Sequence, residues 1–240
     1  MITLITPTGG RQEVFSICQH YMARQTFKGE MQWIIVNDVE EPVQFSDELL
    51  QQKHIKPELY VGPKLWRQGI NTQRYNMDEA IKHVKGDVVF VIEDDDWYAP
   101  NYIEMQLFFL SRFDIVGQAN SHYYNMGERK YKEWKNYTHT SLCETAFRAS
   151  KLDLLDRAVN SGQLFFNIAL WQIVINEKHK YLLYDHIGLV HGLKGLPGKQ
   201  GIGGGHFPDA SFTRDPNVQV LKEWIGLEDL QRYLNLIRPK

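Results

Sequence analysis

Four consecutive acidic side chains carry the clearest chemistry in this 240-residue sequence. They are Glu93, Asp94, Asp95 and Asp96, and they directly follow an apolar run at residues 88–92. Carboxylates held this close repel one another, by about 4 kcal/mol for a pair ~4 Å apart in an effective dielectric of 20. A divalent cation offsets that cost, and Mg²⁺ and Mn²⁺ prefer oxygen ligands, often completing their shell with substrate phosphates. The run therefore predicts a Mg²⁺ or Mn²⁺ site at the end of a buried strand.

A solvated acidic turn is the competing interpretation of the same residues. Such a turn would cap a helix that begins near Pro100, since Asp and Glu favour helix N-termini. The β-branched and aromatic run at residues 88–92 is typical of a central parallel strand. That run favours the metal site over the turn.

Strand and helix patterns alternate over the first half of the chain. Apolar spacing predicts amphipathic helices around residues 14–22 and 77–84, the second closed by Gly86 as a C-cap. Short apolar runs predict buried strands at residues 2–6, 33–36, 59–61 and 88–92. Such alternation predicts βαβ crossovers and a mostly parallel sheet. Ligands of these sheets bind beyond the carboxyl ends of the strands, so the polar residues that follow each strand should meet in one crevice.

The second half of the chain is less regular. A closing helix is expected around residues 230–237, and seven glycines within 192–205 predict a mobile loop. The remaining predicted elements are a hairpin at 122–137, strands at 142–148 and 182–190, and helices at 152–158 and 165–176.

Composition excludes some classes of function. Lys and Arg number 27 against 29 Asp and Glu, whereas proteins that coat a nucleic-acid duplex carry a basic excess. The two cysteines form no C-x-x-C pair, which argues against a zinc site. No basic leader and no ~20-residue apolar run appear, so we expect a cytoplasmic protein.

The order of motifs resembles family 2 glycosyltransferases of the GT-A fold. TPTGGR follows the first predicted strand, RQTF and WIIVND come next, and a long block runs from RQGINTQRYN through KGD to EDDDWYAP. The resemblance covers roughly residues 1–115. It implies a Rossmann-like, mostly parallel sheet flanked by helices, with a nucleotide-sugar-binding half at 1–117 and an acceptor-binding half at 118–240. It also implies a hexosyl- or pentosyltransferase that moves a sugar from a nucleoside diphosphate-sugar to an acceptor hydroxyl, with Mn²⁺ or Mg²⁺ at the acidic motif.

The resemblance assigns roles to individual residues. Asp95 matches the metal-binding acid of the D-x-D motif, Glu93 or Asp94 matches its first position, and Asp96 matches the acid that follows. Asp38 would contact the base or ribose, and Arg74 would face the diphosphate unless it pairs with Asp78 along its helix. The residues assigned to the nucleotide are Thr6, Pro7, Thr8, Arg11, Asp38, Arg74 and Asp94.

The general base is the point at which the sequence departs from the family. An inverting transferase needs a group that takes the proton of the acceptor hydroxyl. Relatives usually supply an acid near the helix that matches residues 165–171, but this chain has Asn167 there, which cannot act as a base. Glu144 and Asp185 are the remaining candidates.

The glycine-rich stretch at residues 191–206 suits a lid that folds over a diphosphate, because backbone N–H groups bind phosphate oxygens. Within it, Lys199 would contact the diphosphate, and His191 or His206 would be a further metal ligand, as in some GT-A enzymes. The stretch matches neither a P-loop nor a G-x-G-x-x-G fingerprint.

Residues 123–137 interleave aromatic and cationic side chains and suit the acceptor. A saccharide, a lipid-linked sugar and a modified nucleic-acid base are all candidates. Two other functions stay open. The first is a nucleotidyltransferase or pyrophosphorylase, which shares such a sheet, although TPTGGR lacks the usual lysine after the first strand. The second is a non-catalytic sugar-binding relative, because Asn167 stands where a base is usual.

Overall fold

The computed structural model describes residues 1–65, 67, 72–198 and 201–237. The strands in these residues are β1 (Ile2–Thr8), β2 (Met31–Asn37), β3 (Ile55–Val61), β4 (Val88–Val91), β5 (Trp97–Tyr98), β6 (Ile115–Gln118), β7 (His122–Asn125), β8 (Lys130–Glu133), β9 (Thr145–Arg148), β10 (Tyr181–Tyr184), β11 (Val190–Lys194) and β12 (Thr213–Arg214). The helices are α1 (Gln12–Ala23), α2 (Asp47–Leu50), α3 (Gln73–Ile81), α4 (Tyr102–Leu110), α5 (Leu152–Val159), α6 (Phe166–Asn176) and α7 (Gln219–Ile237).

A seven-stranded sheet in the order β10-β6-β9-β4-β1-β2-β3 forms the centre of the molecule. Strands β4, β1, β2 and β3 run parallel, as do β10 and β6, whereas β9 is antiparallel to both of its neighbours. The predicted α/β fold with a mainly parallel central sheet is therefore confirmed. Strands from both predicted halves, residues 1–117 and 118–240, share this sheet. The division of the chain into these halves stays a prediction.

The two faces of the sheet bury different side chains of the same strands. Leu4, Trp33 and Phe90 pack on one face with α1, while Ile5 and Val89 pack on the other with α3, α5 and α6. Successive residues of a strand point to opposite faces. Because helices cover both faces, the strands are continuously apolar.

A second sheet has the order β12-β8-β7-β11-β5. All of its strands follow the acidic run in the sequence. Strand β11 pairs antiparallel with β5 and parallel with β7. Strands β7 and β8 form the predicted hairpin. Since β5 begins one residue after Asp96, its pairing with β11 brings the end of β11 to the acidic residues.

Three expectations from the sequence are wrong in detail. Residues 182–190 do not form one strand, because β10 ends at Tyr184 and β11 begins at Val190. Helix α3 ends at Ile81, and Gly86 does not cap it; a Cβ on Gly86 would lie 2.6 Å from the carbonyl carbon of Ile2. Residues 192–194, predicted to belong to a loop, continue β11.

Helix α7 begins well before the predicted position. It starts at Gln219 and is interrupted at Gly226, whose φ of 79° does not fit a helix interior. None of the described helices is both long and apolar enough to cross a membrane.

Candidate active site

A cavity of about 380 Å³ opens at the carboxyl ends of β1, β2 and β4. Residues that end or follow these strands form one wall. The opposite wall comes from β7, from the segment 139–142, from the start of α6 and from the glycine-rich segment 201–206. The cavity thus lies at the sheet edge where the sequence places the polar clusters.

Lys194, at the end of β11, lies among the acidic residues. Its ammonium is 2.6 Å from Asp95 Oδ1, 2.7 Å from Asp96 Oδ1 and 3.0 Å from Glu93 Oε2. Only 5% of this lysine is exposed. An ammonium has three protons to donate, and here each meets a carboxylate.

Arg11 is the second cation of the acidic cluster, which we define as residues 93–96. It follows β1 and donates to Asp94 and, at 3.2 Å, to Asp95 Oδ2. Thr8, the last residue of β1, donates to Asp94 Oδ2 at 2.7 Å. The ends of β1 and β11 therefore supply positive charge and hydrogen bonds to carboxylates that follow β4.

These contacts decide the charge states of Asp95 and Lys194. Burial alone would raise the pKa of Asp95, but Lys194 and Arg11 outweigh burial and hold its pKa below the usual value. Burial would likewise lower the pKa of Lys194, but the charges of Asp95, Asp96 and Glu93 raise it well above normal. Both groups are consequently charged near neutral pH.

His206 belongs to the opposite wall and is near enough for the charges of the cluster to affect it. It ends a single 3-10 turn at Gly204–His206, and its buried Nδ1 has no hydrogen-bond partner among the described residues. Burial, aided by the charge of Lys194, lowers the pKa of His206 to about 4. Carboxylate oxygens that line the same cavity suit Mn²⁺ or Mg²⁺, and a neutral imidazole offers a nitrogen ligand in addition.

Asp38 lies at the end of β2, on the far side of β1 from the acidic cluster. It is 3% exposed, and its Oδ2 accepts a hydrogen bond from Thr72 Oγ1 at 2.5 Å. A Cβ on Gly9 would lie 2.1 Å from Asp38 Oδ1, so only glycine allows this approach. The carboxylate is thereby fixed at the cavity wall.

Glu144 is buried behind the opposite wall. Its carboxylate accepts hydrogen bonds from the Ser121 hydroxyl, from Thr140 Oγ1 at 2.7 Å and from Gln118 Nε2 at 3.1 Å. Burial raises the pKa of Glu144 to about 7, although these hydrogen bonds pull it down. Ser121 and Thr140 line the cavity and Glu144 does not, so these two hydroxyl groups connect its carboxylate to the cavity.

Apolar side chains line the mouth of the cavity near the start of α6. Trp134 of the β7–β8 hairpin segment is 38% exposed, Phe165 41% and Leu164 60%. Exposed apolar side chains grouped at a cavity are typical of a ligand-binding rim.

The structure places most of the predicted site residues at this cavity. Those that line it are Pro7, Thr8, Arg11, Asp38, Glu93, Asp94, Asp95 and His206. Asp96 is fully buried beneath them and contacts Lys194. Lys199 lies outside the described residues, so its role stays a prediction.

Four predicted residues lie elsewhere. The hydroxyl oxygen of Thr6 accepts a hydrogen bond from Trp33 Nε1 at 2.8 Å, inside the core. Arg74 donates to the carbonyl of Val159 at 3.2 Å because α3 packs against α5. Asp185 is exposed and binds the side chain of Asn120, and His191 stacks on Trp224, their ring centroids 4.9 Å apart. None of these four belongs to the cavity wall.

The sequence placed Lys194 only within the glycine-rich lid over the diphosphate, without predicting its contact with the acids, and it did not single out Thr72 or Ser121. Lys194 did carry a signal: it lies in a glycine-rich, apolar stretch next to a predicted strand, and a buried lysine requires carboxylate partners. Thr72 and Ser121 carried none, since short hydroxyl side chains are common in loops. Asn167 does reach the cavity wall, where its side chain donates to the carbonyl of Thr140 at 3.1 Å.

Comparisons with known proteins agree with this geometry. A family model described as glycosyl transferase family 2 matches residues 3–173. A search of curated proteins by sequence gave no match. Among solved structures, TarS 1-349 of S. aureus in complex with UDP-GlcNAc superposes with a TM-score of 0.53 at 13% identity, over 83% of this chain and 59% of that one.

A second solved structure has a similar likeness. It is the mannosyltransferase PcManGT from Pyrobaculum calidifontis in complex with GDP-Man and Mn²⁺, with a TM-score of 0.53 at 12% identity, over 82% of this chain and 57% of that one. The chain thus spans less than two thirds of either structure, and at such identities the likeness establishes the fold. With the family model covering most of its length, the chain belongs to glycosyl transferase family 2 and has the GT-A fold.

Proposed function

We propose that this protein transfers a sugar from a nucleoside diphosphate-sugar to an acceptor hydroxyl, with Mn²⁺ or Mg²⁺ at the acidic cluster. The observation that carries the proposal is that Glu93, Asp94 and Asp95 line the same cavity as Asp38 and His206. The cavity lies at the carboxyl ends of parallel strands, where α/β sheets bind nucleotides.

The donor would lie along the wall formed by β1, β2 and β4. Asp38 is fixed at the end of β2 and would accept hydrogen bonds from the base or ribose. Arg11 is held beside the acidic cluster and would pair with the diphosphate. Pro7 and Thr8 shape the wall between these two groups.

The metal would be held by Asp95 together with Glu93 or Asp94, and by His206. The donor set supports this assignment: carboxylate oxygens and a neutral imidazole whose buried Nδ1 has no partner among the described residues. When bound, the ion supplies positive charge that stabilises the departing diphosphate.

Glu144 would be the general base, acting through Ser121. The Ser121 hydroxyl lines the cavity and donates to the Glu144 carboxylate. As the acceptor oxygen bonds to the sugar carbon, its proton would pass to Ser121 Oγ while the proton of Ser121 passes to Glu144. A carboxyl with a pKa of about 7 is well matched to this task near neutral pH.

The acceptor would bind at the apolar rim formed by Trp134, Leu164 and Phe165. Aromatic faces stack on the flat faces of sugar rings and of bases. A saccharide, a lipid-linked sugar and a modified nucleic-acid base each present such a face.

The test is to incubate the protein with Mn²⁺ and a panel of UDP- and GDP-sugars and to measure the products. Slow release of free nucleoside diphosphate, lost in Asp95→Asn, is the expected result. Release of sugar 1-phosphate, the leaving group of nucleotidyl transfer from such a donor, would instead indicate a nucleotidyltransferase. If no donor in the panel gave a product and no nucleoside diphosphate bound, the proposal would be contradicted and a non-catalytic relative would be favoured.

A further inference from the structure

Lys194 holds the position in the acidic cluster that a cation is expected to hold. Its ammonium contacts oxygens of three acids, and one of them, Asp95 Oδ1 at 2.6 Å, belongs to the proposed metal ligand. The second Asp95 oxygen is 3.2 Å from Arg11. Both oxygens of the central carboxylate therefore already have a cationic partner.

The local backbone holds this lysine in place. Gly195 follows it with a φ of +70°, and a Cβ there would lie 2.4 Å from Asn125 Oδ1. A Cβ on Gly205 would lie 3.0 Å from Lys194 Cγ and 2.7 Å from the ring of Tyr123. Glycine at both positions lets the chain pass close to the lysine stem, whose ammonium contacts the acids.

Acidic side chains outnumber cations in the cluster by four to two, the cations being Lys194 and Arg11. Burial raises the pKa of Asp94 and of Asp96, and a divalent ion beside them would favour their charged forms. A metal ion bound to Asp95 Oδ1 would, however, lie close to the Lys194 ammonium, and the two cations would repel strongly in a buried site.

We propose that Lys194 is a resident counter-ion that occupies the acidic cluster before the donor arrives and that a divalent metal ion must displace it from Asp95. The proposal rests on the proposed function, because the metal enters with the donor. Displacement lowers the metal affinity of the free protein. The diphosphate brings negative charge that compensates for the loss, so metal and nucleotide bind with positive coupling, and the coupling is reciprocal.

The experiment measures Mn²⁺ binding by electron paramagnetic resonance, from the signal of the free ion, with and without UDP or GDP. Wild type is compared with Lys194→Met, with Lys194→Arg, which keeps the charge, and with Lys85→Met. Lys85 is a matched control because it is exposed and pairs with Glu58 at 2.8 Å, away from the cavity.

The expected result is that Lys194→Met binds Mn²⁺ at least about tenfold more tightly than wild type without nucleotide. Its coupling between Mn²⁺ and nucleotide should shrink by a similar factor, while Lys194→Arg and Lys85→Met stay close to wild type. If Lys194→Met is unstable, Mn²⁺ should raise its melting temperature much more than that of wild type.

Two outcomes would overturn the inference. One is a Lys194→Met protein that binds Mn²⁺ no more tightly than wild type without nucleotide. The other is a variant that does not fold even in Mn²⁺, since the ion should supply the charge that the ammonium supplied. If wild type binds Mn²⁺ with nucleotide and either outcome occurs, the inference fails and the proposed function stands. If no variant binds Mn²⁺ with any nucleoside diphosphate, the proposed function itself fails.

Discussion

Asp95 and Glu144 are buried carboxylates on opposite sides of the same cavity, and they differ in their partners. Asp95 is paired with Lys194 and Arg11, whereas Glu144 is surrounded by the neutral donors Ser121 and Thr140. Cations hold the pKa of Asp95 below its usual value, while burial raises the pKa of Glu144 to about 7.

This difference separates two kinds of chemistry. A carboxylate that stays charged can bind a cation or pair with one, but it is a poor proton acceptor. A carboxyl with a pKa near 7 can exchange a proton at neutral pH. On the strength of this difference we propose cation binding for the acidic cluster and proton transfer for Glu144.

Replacing the central acid should give the largest effect. Asp95→Asn keeps the shape of the side chain but removes the charge, so we expect Mn²⁺-dependent binding of UDP or GDP to weaken by roughly 100-fold or more. Isothermal titration calorimetry measures this, and Asp209→Asn, at an exposed residue outside the cavity wall, is the control. If folded Asp95→Asn bound UDP or GDP in Mn²⁺ with the affinity of wild type, the acidic cluster would not be part of the donor site.

Replacing the buried acid on the other side should affect turnover and leave donor binding intact. Glu144→Gln keeps hydrogen-bonding capacity but cannot accept a proton, so turnover should fall by roughly 10²–10⁴-fold with an unchanged affinity for the Mn²⁺–nucleotide complex. Ser121→Ala should also lower turnover, because it removes the link to the cavity.

Asp185→Asn is the matched control for Glu144→Gln. Asp185 was the other candidate base, but it is exposed and binds Asn120, so its replacement should leave turnover within about twofold of wild type, as is usual for surface changes. The reverse pattern, with turnover lost in Asp185→Asn and kept in Glu144→Gln, would contradict the comparison.

The pH dependence of turnover should report the same difference. The base works in its deprotonated form, so turnover at saturating donor and Mn²⁺ should fall as pH drops through about 7, the pKa of Glu144. Asp95 remains charged over this range because its pKa is lowered. In Glu144→Gln the residual turnover should no longer fall as pH drops through about 7. A fall in turnover that persisted in this variant would point to another base.

The smallest effect is expected at the rim. Trp134→Ala removes an aromatic face at the cavity mouth, so KM for the acceptor should rise by about tenfold while kcat changes little. Steady-state kinetics with a donor and an acceptor identified from the panel would measure the effect. A loss of donor binding in this variant would mean that the rim belongs to the nucleotide side.

The parallel half of the fold could be predicted from the sequence because its signals are local. Strand β4 is a continuous apolar run and β2 contains one at residues 33–36, and the polar residues Glu93 and Asp38 lie just beyond these runs. The carboxyl ends of parallel strands meet at one edge, so the cavity wall followed from strand order alone.

The other wall could not be predicted because its contacts are distant in sequence. Lys194 meets Asp95 across 99 positions and Ser121 meets Glu144 across 23, through pairings of β11 with β5 and β7 that no local pattern reveals. Arg74 and His191 have suitable side chains for a site, but packing of α3 on α5 and of β11 on α7 directs them elsewhere.

One measurement tests the central claim most directly: release of nucleoside diphosphate from a sugar donor in Mn²⁺, repeated after the addition of excess EDTA. If the acidic cluster binds a divalent ion together with the donor, release should occur in Mn²⁺, stop on chelation and return when Mn²⁺ is restored. Full turnover in excess EDTA would contradict the account, because the cluster would then act without a metal.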